Sequence, residues 1–222
     1  MRTVHRGFTL VELLIVIAII SILAFAVILI LNPAEILRKA RDTQRISDLD
    51  TLKTALALYV VSVSSPDLDG TNSSTCGDEG ATRKIYISLP TGVTAGTPTS
   101  GWTTTFAQAA DTAYTKVSGT GWIPVNLDDV TGGSPISKLP IDPKNTTDGT
   151  PSGNDLYYRY ACNSSTATKS NTFEINAIME SNFFKTGCTG DCNDVSKKDG
   201  GDLDTYYEVG TNLGILPNGA SF

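Results

Sequence analysis

An uninterrupted apolar run near the N-terminus constrains the fold of this chain more than any other feature. Residues 13–31 read LLIVIAIISILAFAVILIL, and their only hydroxyl group belongs to Ser21. At about 1.5 Å per residue, a helix of this length approaches the roughly 30 Å of a bilayer core. Beyond residue 65 the chain is rich in Thr, Ser, Gly, Asn and Asp. The sequence therefore predicts one membrane span near the N-terminus, followed by a soluble body.

The charge is divided between these two parts. Residues 1–53 contain seven Lys/Arg and five Asp/Glu, whereas residues 54–222 contain ten and eighteen, a net charge of −8. An acidic body argues against nucleic-acid binding, because phosphate contacts need a basic patch. Arg2 and Arg6 precede the apolar run, which predicts a cytoplasmic N-terminus and a body outside the membrane.

The N-terminus does not fit an ordinary secretory signal, which is cut at small residues after its apolar segment. Residues 26–33 (AVILILNP) offer no such site, so an uncleaved anchor is one interpretation. Glu12, however, places a carboxylate beside the apolar run, where a charge is costly and usually has a partner. If the chain began at Phe8, its α-amino group would lie four residues from Glu12. That pair could form within one helix or between neighbouring subunits.

The residues Gly7-Phe8-Thr9-Leu10-Val11-Glu12 resemble the class III signal of type IV prepilins and type II secretion pseudopilins. The resemblance covers the leader and the apolar segment. It implies that a prepilin peptidase cuts after Gly7 and methylates Phe8. It also implies that Glu12 neutralises the N-terminal amine of a neighbouring subunit during assembly.

The resemblance further implies a single-pass precursor in the inner membrane and then an extracellular or periplasm-spanning filament. The expected partners are other copies of the chain, the prepilin peptidase, the inner-membrane assembly platform and, before assembly, the membrane. The sequence does not decide whether the chain is a major pilus subunit, a minor pilin or a secretion pseudopilin. A protein of a different class, a signal-anchored binding domain that never polymerises, is a further alternative.

After the span, apolar residues recur at steps of three and four, the spacing of one helix face. The sequence predicts one helix from Phe8 to Val63, first apolar all round and then amphipathic. We expect a sheet to pack on its apolar stripe: Ile36, Leu37, Ala40, Ile46, Leu49, Leu52, Leu56, Tyr59, Val60 and Val63. Charged residues make the opposite face: Arg38, Lys39, Arg41, Asp42, Arg45, Asp48, Asp50 and Lys53. The basic residues among 38–45 are alternatively anchors to lipid head groups.

Pro33 interrupts this helix, because proline removes a backbone hydrogen bond and clashes with the preceding turn. Asn32, Pro33 and Glu35 also fit the N-cap, N1 and N3 positions of a new helix. Pilins are similar in having a helix-breaking proline in this region. We hypothesise that Pro33 is a hinge that adapts the subunit from bilayer to filament; a static kink is the alternative.

The body has strand signals but no βαβ alternation, which favours an α+β fold. Residues 156–161, 173–179 and 205–209 are expected to be strands of an antiparallel meander, with residues 162–172 linking the first two. Trp102, Phe106 and Tyr114 are expected anchors of the body. The predicted organisation is a leader (1–7), a hydrophobic helix (8–31), an amphipathic helix (32–63) and a globular body (64–222). In this pilin-like arrangement the long helix packs on a small antiparallel sheet.

A second resemblance lies in the body. Leu139-Pro140-Ile141-Asp142-Pro143, followed by tyrosine-rich and alternating strands, is similar to a succession found in pseudopilins and many bacterial pilins. It departs from the major pseudopilin in having Lys144-Asn145 where a Trp-Gly pair follows.

Four cysteines in the soluble part suggest two disulfides in an oxidising compartment. Three pairings are open; we favour a tight loop between Cys188 and Cys192 and a long-range bond between Cys76 and Cys162. Four buried free thiols are the alternative.

The sequence predicts no enzyme. The only histidine, His5, lies in the leader, and the chain has no P-loop, GxSxG or HExxH motif. One cofactor candidate remains, because oxygen ligands on a flexible loop suit Ca²⁺. Its expected ligands are Asp191, Asp194, Asp199, Asp202 and Asp204, although a loop of solvated charges explains them as well.

Overall fold

The computed structural model describes residues 7–70, 76, 84–89, 109–110, 112–146, 155–165 and 170–217. Trp102, Phe106 and leader residues 1–6 lie outside these ranges. The described chain forms two helices, α1 (Leu10–Leu31) and α2 (Pro33–Ser62), and a short 3-10 turn at Leu127–Asp129. Its strands are β1 (Tyr86–Ile87), β2 (Arg159–Ser165), β3 (Ser170–Ala177) and β4 (Tyr207–Gly210), which form one antiparallel sheet in this order. The predicted α+β, pilin-like class is confirmed.

In the part of the chain that the structure describes, the body does not cover the apolar helix α1. Within it, the stretch Leu10–Ile28 is long and apolar enough to cross a membrane, and none of it is buried in the structure. The hydroxyl of Ser21 donates to the carbonyl of Ile17 (2.7 Å), so it is satisfied inside the helix. A helix that is apolar all round needs lipid or other helices around it.

The predicted single helix is divided at Asn32. This residue has φ 40° and ψ 75°, in the left-handed region that asparagine tolerates better than most residues. Pro33 is the first residue of α2, as expected, and the Asn32 carbonyl accepts from the backbone N–H of Glu35 (3.0 Å). The Asn32 side chain makes no capping hydrogen bond. The break is therefore a change of backbone conformation before the proline.

The second half of α2 packs on the sheet. Leu49, Leu52, Leu56 and Tyr59 are buried, whereas Ile36 and Leu37 at the start of the stripe are exposed. The core facing α2 includes Trp122, Ile123, Val125, Leu127, Leu139, Tyr158, Tyr160, Phe173, Ile175, Ala177 and Val209. Packing by the amphipathic part of the helix is confirmed, but only from Leu49 onward.

The three predicted body strands form the expected meander β2-β3-β4, with different ends. The residues assigned to a link between β2 and β3 are largely paired: Cys162 lies opposite Phe173, and Asn163 opposite Thr172. The prediction ended β2 too early and began β3 too late, because polar residues have weak strand preference but still pair through their backbone. Tyr157 and Tyr158, assigned to a strand, precede β2.

The other face of the sheet is buried as well. Glu174 and Glu208 are almost fully enclosed, and Glu174 Oε2 accepts from the backbone N–H groups of Ile215 (2.8 Å) and Leu216 (2.9 Å). Burial, together with the hydrogen bond to Glu174, raises the pKa of Glu208 to about 9. These contacts fix the C-terminal segment over the sheet, so that both sheet faces are covered.

Candidate processing and assembly site

The segment before α1 is accessible and not helical. Thr9 is extended (φ −80°, ψ 151°) and α1 begins at Leu10. Phe8 is 81% exposed, and Gly7 has no neighbouring atoms where a Cβ would stand. The peptide bond between Gly7 and Phe8 is therefore open to an enzyme and free of helical hydrogen bonds.

Thr9 and Glu12 form a capping box at the start of α1. Glu12 Oε2 accepts from the Thr9 backbone N–H and from Thr9 Oγ1, both at 2.8 Å. In return, Thr9 Oγ1 accepts from the Glu12 backbone N–H at 3.2 Å. Such reciprocal bonds satisfy two of the free N–H groups at a helix start.

The capping box explains how Glu12 is accommodated in the uncut chain. It gives the carboxylate two donors but no positive charge, so Glu12 can still pair with an amine. We expected an amine partner and missed Thr9, although the spacing Thr-x-x-Glu is a recognised cap signal in a sequence.

The start of α2 is joined to the body by residues that follow β3. The Asn182 backbone N–H donates to Glu35 Oε1, and the Lys39 ammonium lies 3.4 Å from the centre of the Phe183 ring. Asp42 accepts from the backbone N–H groups of Glu180 (2.9 Å) and Ser181 (2.7 Å). We call residues 180–185 the strap, because they lie along the first turns of α2.

A buried ion cluster centres on Arg45. Its guanidinium forms two hydrogen bonds with Asp142, Nε to Oδ2 (2.6 Å) and Nη2 to Oδ1 (2.9 Å). Nη1 donates to Asp42 Oδ1 (2.7 Å) and to Glu180 Oε2 (2.9 Å). Arg41 adds a second contact to Glu180 (2.6 Å). The cluster joins α2, the loop that contains Asp142 and the strap.

The electrostatics of the cluster favour full ionisation. Burial by itself raises the pKa of Glu180, but hydrogen bonds from Arg41 and Arg45 outweigh it and lower that pKa to about 2. Burial by itself lowers the pKa of Arg45, but bonds to Asp142 and the other carboxylates raise it above its usual value. Both groups are charged throughout the physiological pH range.

The charged face predicted for α2 thus needs a correction. Asp42 and Arg45 have no exposed surface, because the Asp142 loop and the strap cover them. Their sequence separation from Asp142 and Glu180 explains why helical periodicity could not reveal this. Asp142, which we had noted only as part of the Leu-Pro-Ile-Asp-Pro resemblance, also accepts from the Lys144 N–H (2.8 Å) and so shapes its loop.

Both disulfides join the cysteines that we favoured. Cys76 is bonded to Cys162 of β2, and Cys188 is bonded to Cys192. The described chain contains no free cysteine. The first ties the segment after α2 to the sheet. The second closes a short loop next to the strap.

Two of the five aspartates proposed for calcium support loop backbone. Asp199 accepts from the N–H groups of Gly201 (2.9 Å) and Glu208 (2.8 Å), and Asp194 from those of Gly187 (3.2 Å) and Lys197 (3.3 Å). In the described ranges, no three His, Cys, Asp or Glu side chains form a metal-binding group. Calcium binding stays a prediction, which a calcium-dependent rise in melting temperature would test.

Comparison with known proteins bears on the N-terminus. A family model described as the prokaryotic N-terminal methylation motif matches residues 2–28. This motif is the class III signal of type IV pilins and pseudopilins, so the resemblance of Gly7–Glu12 to that signal is confirmed. No curated protein and no solved structure matches the chain significantly. The chain is a pilin-like α+β protein with a prepilin-type signal and an apolar helix suited to anchoring the precursor in a membrane.

Proposed function

We propose that this chain is the precursor of a structural subunit of a type IV pilus-like filament. The observation that carries the proposal is the methylation motif at residues 2–28, placed on a fully exposed apolar helix. The peptidase hydrolyses the Gly7–Phe8 amide, which leaves a carboxylate on the leader and an ammonium group on Phe8. An electrophilic methyl donor such as a methylsulfonium compound then transfers its methyl group to this amine, which loses a proton.

The structure supports assembly through α1. A helix that is apolar on every side has no stable position in water, so it leaves lipid only for a surface of similar helices. Copies of α1 packed together provide that surface, with the bodies outside. The ammonium group of Phe8 then supplies the charge that the Thr9–Glu12 capping box lacks, and pairing it with Glu12 of a neighbour fixes the register between subunits.

Three variants test this function in cells. Gly7→Leu fills the open space at the scissile bond, and we expect the precursor to stay uncut. Glu12→Gln keeps a hydrogen-bond acceptor for the cap but removes the negative charge, so we expect normal cutting. The Phe8 ammonium of the neighbouring subunit then has no partner in an apolar setting, and we expect the filament yield to fall by about tenfold or more. Ser21→Ala is the control, because that hydroxyl is satisfied within α1.

The readouts are the size of the chain on an immunoblot and electron microscopy of filaments sheared from cells. Efficient cutting of Gly7→Leu would argue against the proposed site. Filaments of normal number from Glu12→Gln would argue against charge pairing in assembly.

A minor pilin or a secretion pseudopilin shares the same chemistry at the N-terminus. Cells lacking this chain distinguish the assignments. Loss of all filaments indicates a major subunit, and filaments of altered number or length indicate a minor one. A secretion defect in cells whose surface filaments are normal indicates a pseudopilin.

A further inference from the structure

The strap places part of the body next to the end of the apolar helix. Its Asn182 backbone bonds to Glu35, only four residues after Leu31, the last residue of α1. The helix is broken at Asn32, so only the length of the chain limits this distance, and four residues reach at most about 14 Å. Any membrane that surrounds α1 therefore has its surface close to the strap.

The basic residues of this region differ in their exposure, and Lys39, which lies over the Phe183 ring, keeps an exposed side chain in spite of that contact. Arg41 and Arg45 are occupied by Glu180. Arg38 is about half exposed and lies 3.6 Å from Glu35, while Lys39 and Lys185 have exposed side chains. The Lys185 backbone N–H donates to the carbonyl of Ser181 (3.1 Å), and Ser181 bonds to Asp42 of α2, so the strap brings Lys185 near the first turns of α2 that contain Arg38 and Lys39.

The dimensions of a bilayer match this arrangement. Head groups add about 5–8 Å on each side of the roughly 30 Å apolar core. Arg38 and Lys39 lie five and six residues after Pro33, the first residue of α2, or about 7–9 Å along that helix. Long basic side chains can extend back over such a distance.

We propose that Arg38, Lys39 and Lys185 form a membrane-facing surface that binds the phosphates of anionic lipids while the precursor is anchored. The surface rests on the proposed membrane-anchored stage of the function. Residues 54–222 carry a net charge of −8, so most of the body is repelled by anionic lipid. The three cations attract the strap end, and the body stands on the membrane in one orientation before assembly.

Lysine acetylation of the full-length precursor tests this surface. The protein is reconstituted in phosphatidylcholine vesicles with or without phosphatidylglycerol, and each lysine is followed by mass spectrometry. We expect Lys39 and Lys185 to react roughly fivefold more slowly with the anionic lipid present, since each basic residue near such a surface gains about 1 kcal/mol. Lys53 and Lys138 are internal controls, because both are exposed and Lys53 lies fourteen residues further along α2. Their rates should not change.

Two double variants give the matched comparison. The orientation of the body is followed by hydrogen exchange of the strap, with and without phosphatidylglycerol. In the double variant Lys39→Glu, Lys185→Glu, phosphatidylglycerol should no longer change this exchange. Lys53→Glu with Lys138→Glu should leave the effect of phosphatidylglycerol intact. Equal reactivity of Lys39 and Lys185 in both lipids overturns the proposal. The proposal is also overturned if inorganic phosphate, added to the protein in detergent, slows acetylation of Lys39 and Lys185 as much as phosphatidylglycerol does. That result would mean that the surface binds a free anion.

Flotation of the vesicles separates this inference from the proposed function. A wild-type chain that does not float with vesicles contradicts membrane anchoring itself. A chain that floats but shows no lipid-dependent protection contradicts only the surface.

Discussion

At the scale of single residues, Arg45 makes contacts that the rest of the body depends on. Replacing it with Met leaves Asp42, Asp142 and Glu180 crowded together without their shared cation. Removing one partner of a buried ion pair typically costs about 3–5 kcal/mol. We expect Arg45→Met to lower the free energy of unfolding of the full chain in micelles by this amount, measured by chemical denaturation. Arg38→Met, at an exposed position, should cost less than about 0.5 kcal/mol. Equal effects of the two substitutions would show that the cluster adds no stability.

Glu180 makes stability depend on acid pH. Its pKa in the folded chain is lowered to about 2 from the usual 4.5, because Arg41 and Arg45 favour the carboxylate more than burial opposes it. A lowered folded pKa gives stability that is complete above pH 4.5 and is lost as pH falls toward 2. We expect the unfolding midpoint of the wild type to fall more steeply over this range than that of Glu180→Gln. Parallel pH profiles would contradict this assignment.

Some of these residue roles could be predicted from sequence and others could not. Glu12 was identifiable because its misplaced charge and its motif are local. The Arg45 cluster joins residues that are 97 and 135 positions apart, and a single sequence contains no signal for such pairs. Periodicity marked Arg45 only as a charged residue between apolar ones.

At the scale of elements, the two disulfides should differ in importance. The bond from Cys76 to Cys162 closes a loop with a sequence separation of 86, and that from Cys188 to Cys192 one of 4. Chain entropy gives about 4–5 kcal/mol for the long loop and about 2 kcal/mol for the short one. Replacing each pair with Ala should therefore lower the melting temperature more for Cys76 and Cys162. The reverse order would contradict this account.

The junction between α1 and α2 gives a second prediction for elements. Pro33→Ala restores a backbone N–H and removes the clash with the preceding turn, so Asn32 can become helical. Spin labels at positions 21 and 47 should then report a separation nearer the roughly 39 Å of a continuous helix. An unchanged distance would show that Pro33 does not cause the break. Whether the junction moves during assembly, as the hinge hypothesis states, stays a prediction.

The elements themselves were predicted where the pattern was strong and local. The apolar run predicted α1, and the strand signal over residues 173–179 predicted most of β3. The ends of β2 and β3 were not found, because polar residues pair there through backbone groups alone. The second buried face was missed as well, since Glu174 and Asn176 look like solvent-facing residues in an alternating strand.

At the scale of the whole molecule, the described residues combine an exposed apolar helix with an acidic body whose core is buried. Within these residues, both faces of the sheet are covered by the body's own segments. The helix α1, in contrast, is fully exposed and needs lipid or other helices. This asymmetry is what the proposed function requires of a subunit that is first held in a membrane and then polymerises.

The most direct test of this account is mass spectrometry of the N-terminal peptide in filaments sheared from cells. We predict that the chain is present there, begins at Phe8 and has one methyl group on its α-amine. A chain that is absent from the filaments, or that retains Met1 and the leader, would contradict the proposed processing and assembly.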